Sequence, residues 1–173
     1  MKKLKQEDAF FADYQRNRGG YVLRFLWAFR HCSVTKNKVM KLLYAFLLRQ
    51  YRLKYGLEIP YTTKIGKGLY LGHAFNITIN QHAVLGDNIN LHKGVVIGME
   101  NRGKRKGCPK IGNCVWIGCN AVIVGKVTIG NDVLIAPNSY VNCDVPSHSV
   151  VFGNPCQIRY RDKATEGYVN NRI

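Results

Sequence analysis

Residues 111–136 read IGNCVWIGCNAVIVGKVTIGNDVLIA, and the spacing of the aliphatic side chains in this stretch decides the fold. Ile111, Ile117, Ile123, Ile129 and Ile135 recur every six positions, and Val141 continues the series. A small residue usually follows, as at Gly112, Gly118, Gly130 and Ala136. Three such hexads make one triangular coil of about 18 residues, with a short parallel strand on each side. The aliphatic residue points inward, where successive coils stack it into a column. The next position lies near a corner where a side chain would clash, so Gly or Ala is preferred there. Upstream the series reads Ile59, Ile65, Leu71 and Ile77, then Leu85, Leu91 and Ile97. Roughly a dozen hexads predict an all-β solenoid of about four coils over residues 57–158.

Two breaks interrupt the rhythm. The step from Ile77 to Leu85 is eight residues, which places a two-residue slip between them. The step from Ile97 to Ile111 is fourteen, so a polar loop over residues 99–110 leaves the coil. A solenoid tolerates such insertions without losing its core, and loops on one face tend to hold function.

Residues 1–56 lack the hexad and read as helices. Leu4–Tyr14 and Tyr21–His31 are expected helical, and Val34–Tyr55 has apolar residues near helical spacing with Gly56 placed to end it. The 173 residues carry 26 basic side chains against 10 acidic ones, a net charge of +16. Thirteen of the basic residues lie within residues 1–56, against Glu7, Asp8 and Asp13. Such a field attracts anions: cofactor phosphates, nucleic acid or an acidic membrane surface. The helical segment has two readings, a cap on the open first coil and an amphipathic element on an anionic membrane. A nucleic-acid-binding module and a purely structural solenoid are rival readings of the whole chain, although no nucleic-acid motif is present. The six cysteines include no CxxC pair and read as reduced thiols of a cytoplasmic protein. The tail covers residues 159–173.

The stretch Leu57–Ile158 resembles the serine acetyltransferases, and especially short members found among surface-polysaccharide biosynthesis enzymes. The matching motifs are Ile65-Gly-Lys-Gly-Leu-Tyr-Leu-Gly-His73, Ala83-Val-Leu-Gly-Asp-Asn88, Pro109-Lys-Ile-Gly112 and Gly153-Asn-Pro155. The resemblance implies a left-handed parallel β-helix, a homotrimer with sites between subunits, and acetyl-CoA as co-substrate without a metal. It places the catalytic base on His73 and a partner carboxylate on Glu58. An alcohol is a poor nucleophile at neutral pH, and a base of pKa near 7 answers that need. A carboxylate would orient the imidazole and stabilise its charged form. His92, one coil further along, is a candidate for positioning the acceptor; His82 sits in the expected slip. The small residues that line the pantetheine arm in the family fall on Cys119 and Ala136. Lys104, Arg105, Lys106 and Lys126 suit the CoA phosphates.

Three departures from the family pattern matter. The Asp before the catalytic histidine is Gly72 here, the Arg-His pair before Pro-Lys-Ile is Gly107-Cys108, and the long helical N-terminal domain is replaced. Those lost charges are the ones that would clamp an amino acid. The expected acceptor is therefore a sugar hydroxyl in capsule or exopolysaccharide synthesis, held by neutral groups such as Asn76, Asn80 and Gln81. Serine O-acetylation is the alternative.

Overall fold

The computed structural model describes the backbone of residues 2–173 and side chains from Asp8 onward. Three helices precede the solenoid: α1 (Lys2–Arg16), α2 (Gly20–Val34) and α3 (Lys38–Tyr55). The third starts four residues later than the periodicity suggests. Asn37 stops it there, its Oδ1 accepting from the amides of Val39 and Met40. Gly56 ends it in the left-handed conformation, φ 65°.

Strands then wind over three faces. The first face holds β1 (Leu57–Glu58), β4 (Ile77–Ile79), β7 (Val96–Gly98), β10 (Val122–Val124) and β13 (Tyr140–Val141). The second holds β2 (Lys64–Ile65), β5 (Val84–Leu85), β8 (Lys110–Ile111) and β11 (Thr128–Ile129). The third holds β3 (Tyr70–Gly72), β6 (Asn90–His92), β9 (Trp116–Ile117), β12 (Val133–Ile135), β14 (Ser149–Phe152) and β15 (Gln157–Tyr160). Every pairing between coils is parallel; β15 folds back antiparallel on β14 and closes that edge.

The register places three aliphatic columns inside. Ile79, Ile97, Ile123 and Val141 stack on the first face. Ile65, Leu85, Ile111, Ile129 and Val145 stack on the second. Leu71, Leu91, Ile117, Ile135 and Val151 stack on the third. The solenoid thus has five coils rather than four. The slip also moves. Ile79, not Ile77, occupies the column opposite Ile97, so the eight-residue step runs from Leu71 to Ile79. Ile77 pairs instead with Leu57 on β1, and both are buried.

The corner between the second and third faces never varies. There Asp87 Oδ1 accepts the Lys67 amide at 2.8 Å, Asn113 Oδ1 that of Asp87 at 2.8 Å, and Asn131 Oδ1 that of Asn113 at 2.7 Å. Ser147 Oγ ends the ladder on Asn131, 3.0 Å. The glycine before each rung is required by space: a Cβ on Gly86 would stand 2.6 Å from the carbonyl oxygen of Gly112.

The helices cover the open first coil, and their side chains replace the strand it lacks. An unpaired strand edge exposes amides and carbonyls that need partners. Asp13 on α1 and Asn17, just past its end, supply them. Asp13 Oδ1 accepts the Leu69 amide at 2.8 Å, and Asn17 bonds both the Leu69 carbonyl, 2.7 Å, and the Leu71 amide, 3.0 Å. Arg30 of α2 pairs with Asp13 at 2.8 Å in full burial and donates to the Ile65 carbonyl. The C-terminal tail runs back along the solenoid from Asp132, which accepts from the amides of Ala164 and Thr165 at 3.0 Å and bonds His148 Nδ1 at 2.9 Å, to Asn88, which bonds Ile173, and Arg16, which donates to the Asn170 carbonyl. All six cysteines are free.

Candidate active site

His73 stands where the coil swells. The neighbouring coils pass from third-face column to first-face strand in five residues, Leu91 to Val96 and Ile117 to Val122; here seven separate Leu71 from Thr78, the partner of Val96. The two extra residues push His73 and Asn76 outward in left-handed conformations, φ 51° and 53°, and leave both exposed. Such conformations cost energy for non-glycine residues and persist where the surroundings hold them.

The surroundings do hold them. Tyr21 Oη of α2 donates to the Ala74 carbonyl at 3.2 Å, and its ring stacks on Tyr55 at 4.2 Å. The Asn76 amide donates to the Tyr55 carbonyl of α3 at 2.8 Å. Gly56 is packed so closely on Asn76 that a Cβ would meet its Cα at 3.0 Å. The helices are therefore a brace for this corner as well as a cover for the coil.

His92 lies directly above Gly72 in register, and its ring sits 6.4 Å from that of His73. Trp116 packs on its far side at 4.8 Å, and Tyr168 from the tail covers Trp116 at 5.1 Å. Burial first, and the His73 charge second, push the pKa of His92 below the ordinary histidine range. The ring is thus neutral at physiological pH, and its buried Nε2 has no partner among the described residues. A Cβ on Gly72 would strike the His92 ring at 2.7 Å. A side chain at position 72 has no room unless the His92 ring moves.

Glu58 leaves the first face outward and pairs with Arg52 of α3 at 3.4 Å, both side chains half exposed. Among the described residues no hydrogen bond joins it to His73. Cys119 and Ala136 share the His73 corner in later coils, since Gly72, His92, Gly118 and Ala136 fall in one register. The amide of Ala136 is committed to the Val151 carbonyl at 2.8 Å. That leaves Ala136 no free N–H for a cofactor amide.

The remaining candidates gather at the next corner, across β4. Asn80 and Gln81 are not beside His73, because the slip lies before β4 and not after it. Asn80 Oδ1 accepts the His82 amide at 3.0 Å and the Cys108 thiol at 3.3 Å, while Gln81 Nε2 meets His82 Nε2 at 3.2 Å. The loop over 99–110 rises from this corner. It is closed by paired Glu100 and Gly107, and Arg105 is held by Glu100 at 3.0 Å. The Lys126 amide donates to the Arg105 carbonyl at 2.8 Å, which brings Lys126 beside the Lys104–Lys106 run. No group of three or more metal-binding side chains converges among the described residues.

Sequence reasoning missed Tyr21, Tyr55, Trp116 and Tyr168. Trp116 stands one residue before an inward Ile, a signal for an outward ring above the same face; the tail residue Tyr168 has no such signal.

Comparison with known proteins agrees with the solenoid fold. Residues 108–143 match the family model described as bacterial transferase hexapeptide (six repeats). Serine acetyltransferase 2 of Arabidopsis thaliana is 34% identical over 77% of this chain and 41% of its own length. The serine acetyltransferase of Helicobacter pylori is 32% identical over 62% of this chain and 63% of its own. The chain thus spans about half the length of these curated relatives. The solved serine acetyltransferase of Neisseria gonorrhoeae, in complex with serine, superposes with a TM-score of 0.69 at 32% identity, over 91% of this chain and 69% of that one.

Proposed function

The chain belongs to the family of hexapeptide-repeat serine acetyltransferases, and on that premise we propose that it transfers an acetyl group from acetyl-CoA to an acceptor hydroxyl. The observation that carries the reading is the swollen corner, which presents His73 to solvent on a braced backbone. His73 takes the proton of the acceptor hydroxyl as that oxygen attacks the thioester carbonyl. The C–S bond breaks, an acetyl ester forms, and the protonated imidazole returns its proton to the CoA sulfur. His92, neutral through burial, keeps a second positive charge away from the base. Glu58 would have to release Arg52 before it could orient His73.

The two half-sites support a trimer. The base stands at one corner of the coil and the basic loop at the next, with the first face between them. A three-fold ring of chains turns one corner of each chain toward the other corner of its neighbour. The Lys104–Lys106 run and Lys126 would then meet the CoA phosphates of a site shared with the next chain.

Kinship supports serine as the acceptor. A second reading, an uncharged acceptor such as a sugar, rests on two contacts: His92 closes the space over Gly72, and Cys108 satisfies itself on Asn80. Neither position offers a charge for the ammonium or carboxylate of an amino acid. Release of CoA thiol, measured with L-serine and with a panel of sugars, separates the readings. A specificity constant for serine of about 10⁴ M⁻¹s⁻¹ or above makes this a serine acetyltransferase. No thiol release with any hydroxyl acceptor would sink the acyltransfer reading altogether.

A further inference from the structure

The helix α3 is apolar on two sides, and the solenoid uses only one of them. Tyr44 and Leu48 are buried against the rest of the molecule. On the opposite side Val39 is 74% exposed, Leu42 73%, Leu43 48%, Phe46 56% and Leu53 67%. Their spacing of three, four, seven and fourteen from Val39 places them on one stripe of the helix. Lys38, Arg49 and Lys54 flank that stripe, while Lys41 and Arg52 turn toward Tyr61 and Glu58, and no acidic residue occurs between Asp13 and Glu58.

We propose that the outer face of α3 docks on an anionic lipid surface. The charge pattern selects this occupant. A second copy of the chain would bring Lys38, Arg49 and Lys54 of its own against these, like charge against like, with no acid on the helix to relieve them. A nucleic acid answers the charge but offers nothing to Leu42 or Phe46. A lipid surface answers both: acyl chains receive the stripe while headgroups receive the flanking cations. The helix lies on such a surface and does not cross it, since no described helix is long and apolar enough to span a membrane. Tyr55 and Gly56, at the end of α3, grip the His73 corner. Docking would therefore hold that corner close to the lipid, within reach of a hydroxyl carried there. The inference stands whether or not the acyltransfer reading does.

The test is co-sedimentation of the full chain with vesicles of phosphatidylcholine, alone and with phosphatidylglycerol added. We expect about tenfold or more chain on the anionic vesicles at low salt. The double substitution Leu42→Asp with Phe46→Asp should abolish that gain while helix content and melting midpoint stay unchanged, both sites being exposed. Phe46→Trp should shift its emission to the blue on anionic vesicles. Equal binding to both vesicle types, full binding by the double variant, or an unshifted tryptophan would overturn the proposal. So would a native chain that ignores vesicles while the double variant changes its mass in sedimentation; the stripe is then a contact between subunits. Salt-sensitive binding to duplex DNA that matches the vesicle binding and survives the double substitution would also defeat it.

Discussion

The corner that carries His73 and the loop over residues 99–110 both depart from the six-residue rhythm, yet they are held in different ways. The first is gripped from outside by three helices: Asn17 bonds the strand that leads into it, Tyr21 bonds Ala74, and Tyr55 bonds Asn76. The second holds itself, through Glu100 to Arg105 and Glu100 to Gly107, and touches the coil through Lys126 and Cys108. A proton-transfer group must be fixed to well under an ångström to be useful, whereas cations that meet a flexible phosphate chain gain from some freedom. The difference in bracing matches the two tasks proposed for these corners.

Breaking the braced corner at its centre should have the largest effect. His73→Ala is expected to lower turnover by about two to four orders of magnitude with unchanged circular dichroism. Steady-state kinetics check it, and a variant near the native rate would move the base elsewhere, first to His92. Gly72→Asp comes next: forcing a side chain into the His92 ring should cost about 1–3 kcal/mol of stability. Adding His92→Leu should recover part of that loss, and urea melts of the two single and one double variant measure the coupling. Additive losses would mean that the ring does not fill the space above residue 72.

Tyr21→Phe sharpens the comparison further. Loss of one hydrogen bond should cost about 1 kcal/mol of stability, and kcat should fall while KM for acetyl-CoA holds. The matching experiment at the loop is Lys104→Ala with Lys106→Ala. There KM for acetyl-CoA should rise about three- to tenfold with kcat little changed, and more so at low ionic strength. If both variants alter the same kinetic constant, the two corners do not divide the work as described. The smallest effect concerns pH. Burial lowers the His92 pKa, so the folded chain binds fewer protons than the unfolded one between the depressed value and the ordinary 6.5. Stability should be complete above that range and decline as pH falls through the depressed pKa. Thermal melts of the native chain and of His92→Leu should converge toward acid.

The columns of the solenoid were legible in the sequence because each is written four or five times over. The position of the slip was not. The steps Leu71–Ile77–Leu85 and Leu71–Ile79–Leu85 have the same total, and Ile77 and Ile79 are both aliphatic and buried. Only pairing with the next coil separates them, and that moved Asn80 and Gln81 away from His73. His73, which stands exposed on the swollen corner, was singled out by its motif. Its brace was not, because Asn17, Tyr21 and Tyr55 act on strands some twenty to fifty positions away, where periodicity is silent. Gly72 was visible as a departure, but its reason needed His92 to be seen lying over it.

The ladder of Asp87, Asn113, Asn131 and Ser147 has a consequence for how such a chain can change over time. Along that edge the step between inward residues is six in every coil, while the other two edges carry all the irregular steps. It acts as a registration mark: a coil that gained or lost a residue there would miss its rung and leave an amide without an acceptor. Elsewhere a coil can lengthen by two residues or by eight and still meet its neighbour in phase. Novelty in this solenoid is thus channelled to two edges out of three, and those are the edges where His73 and the basic loop reside.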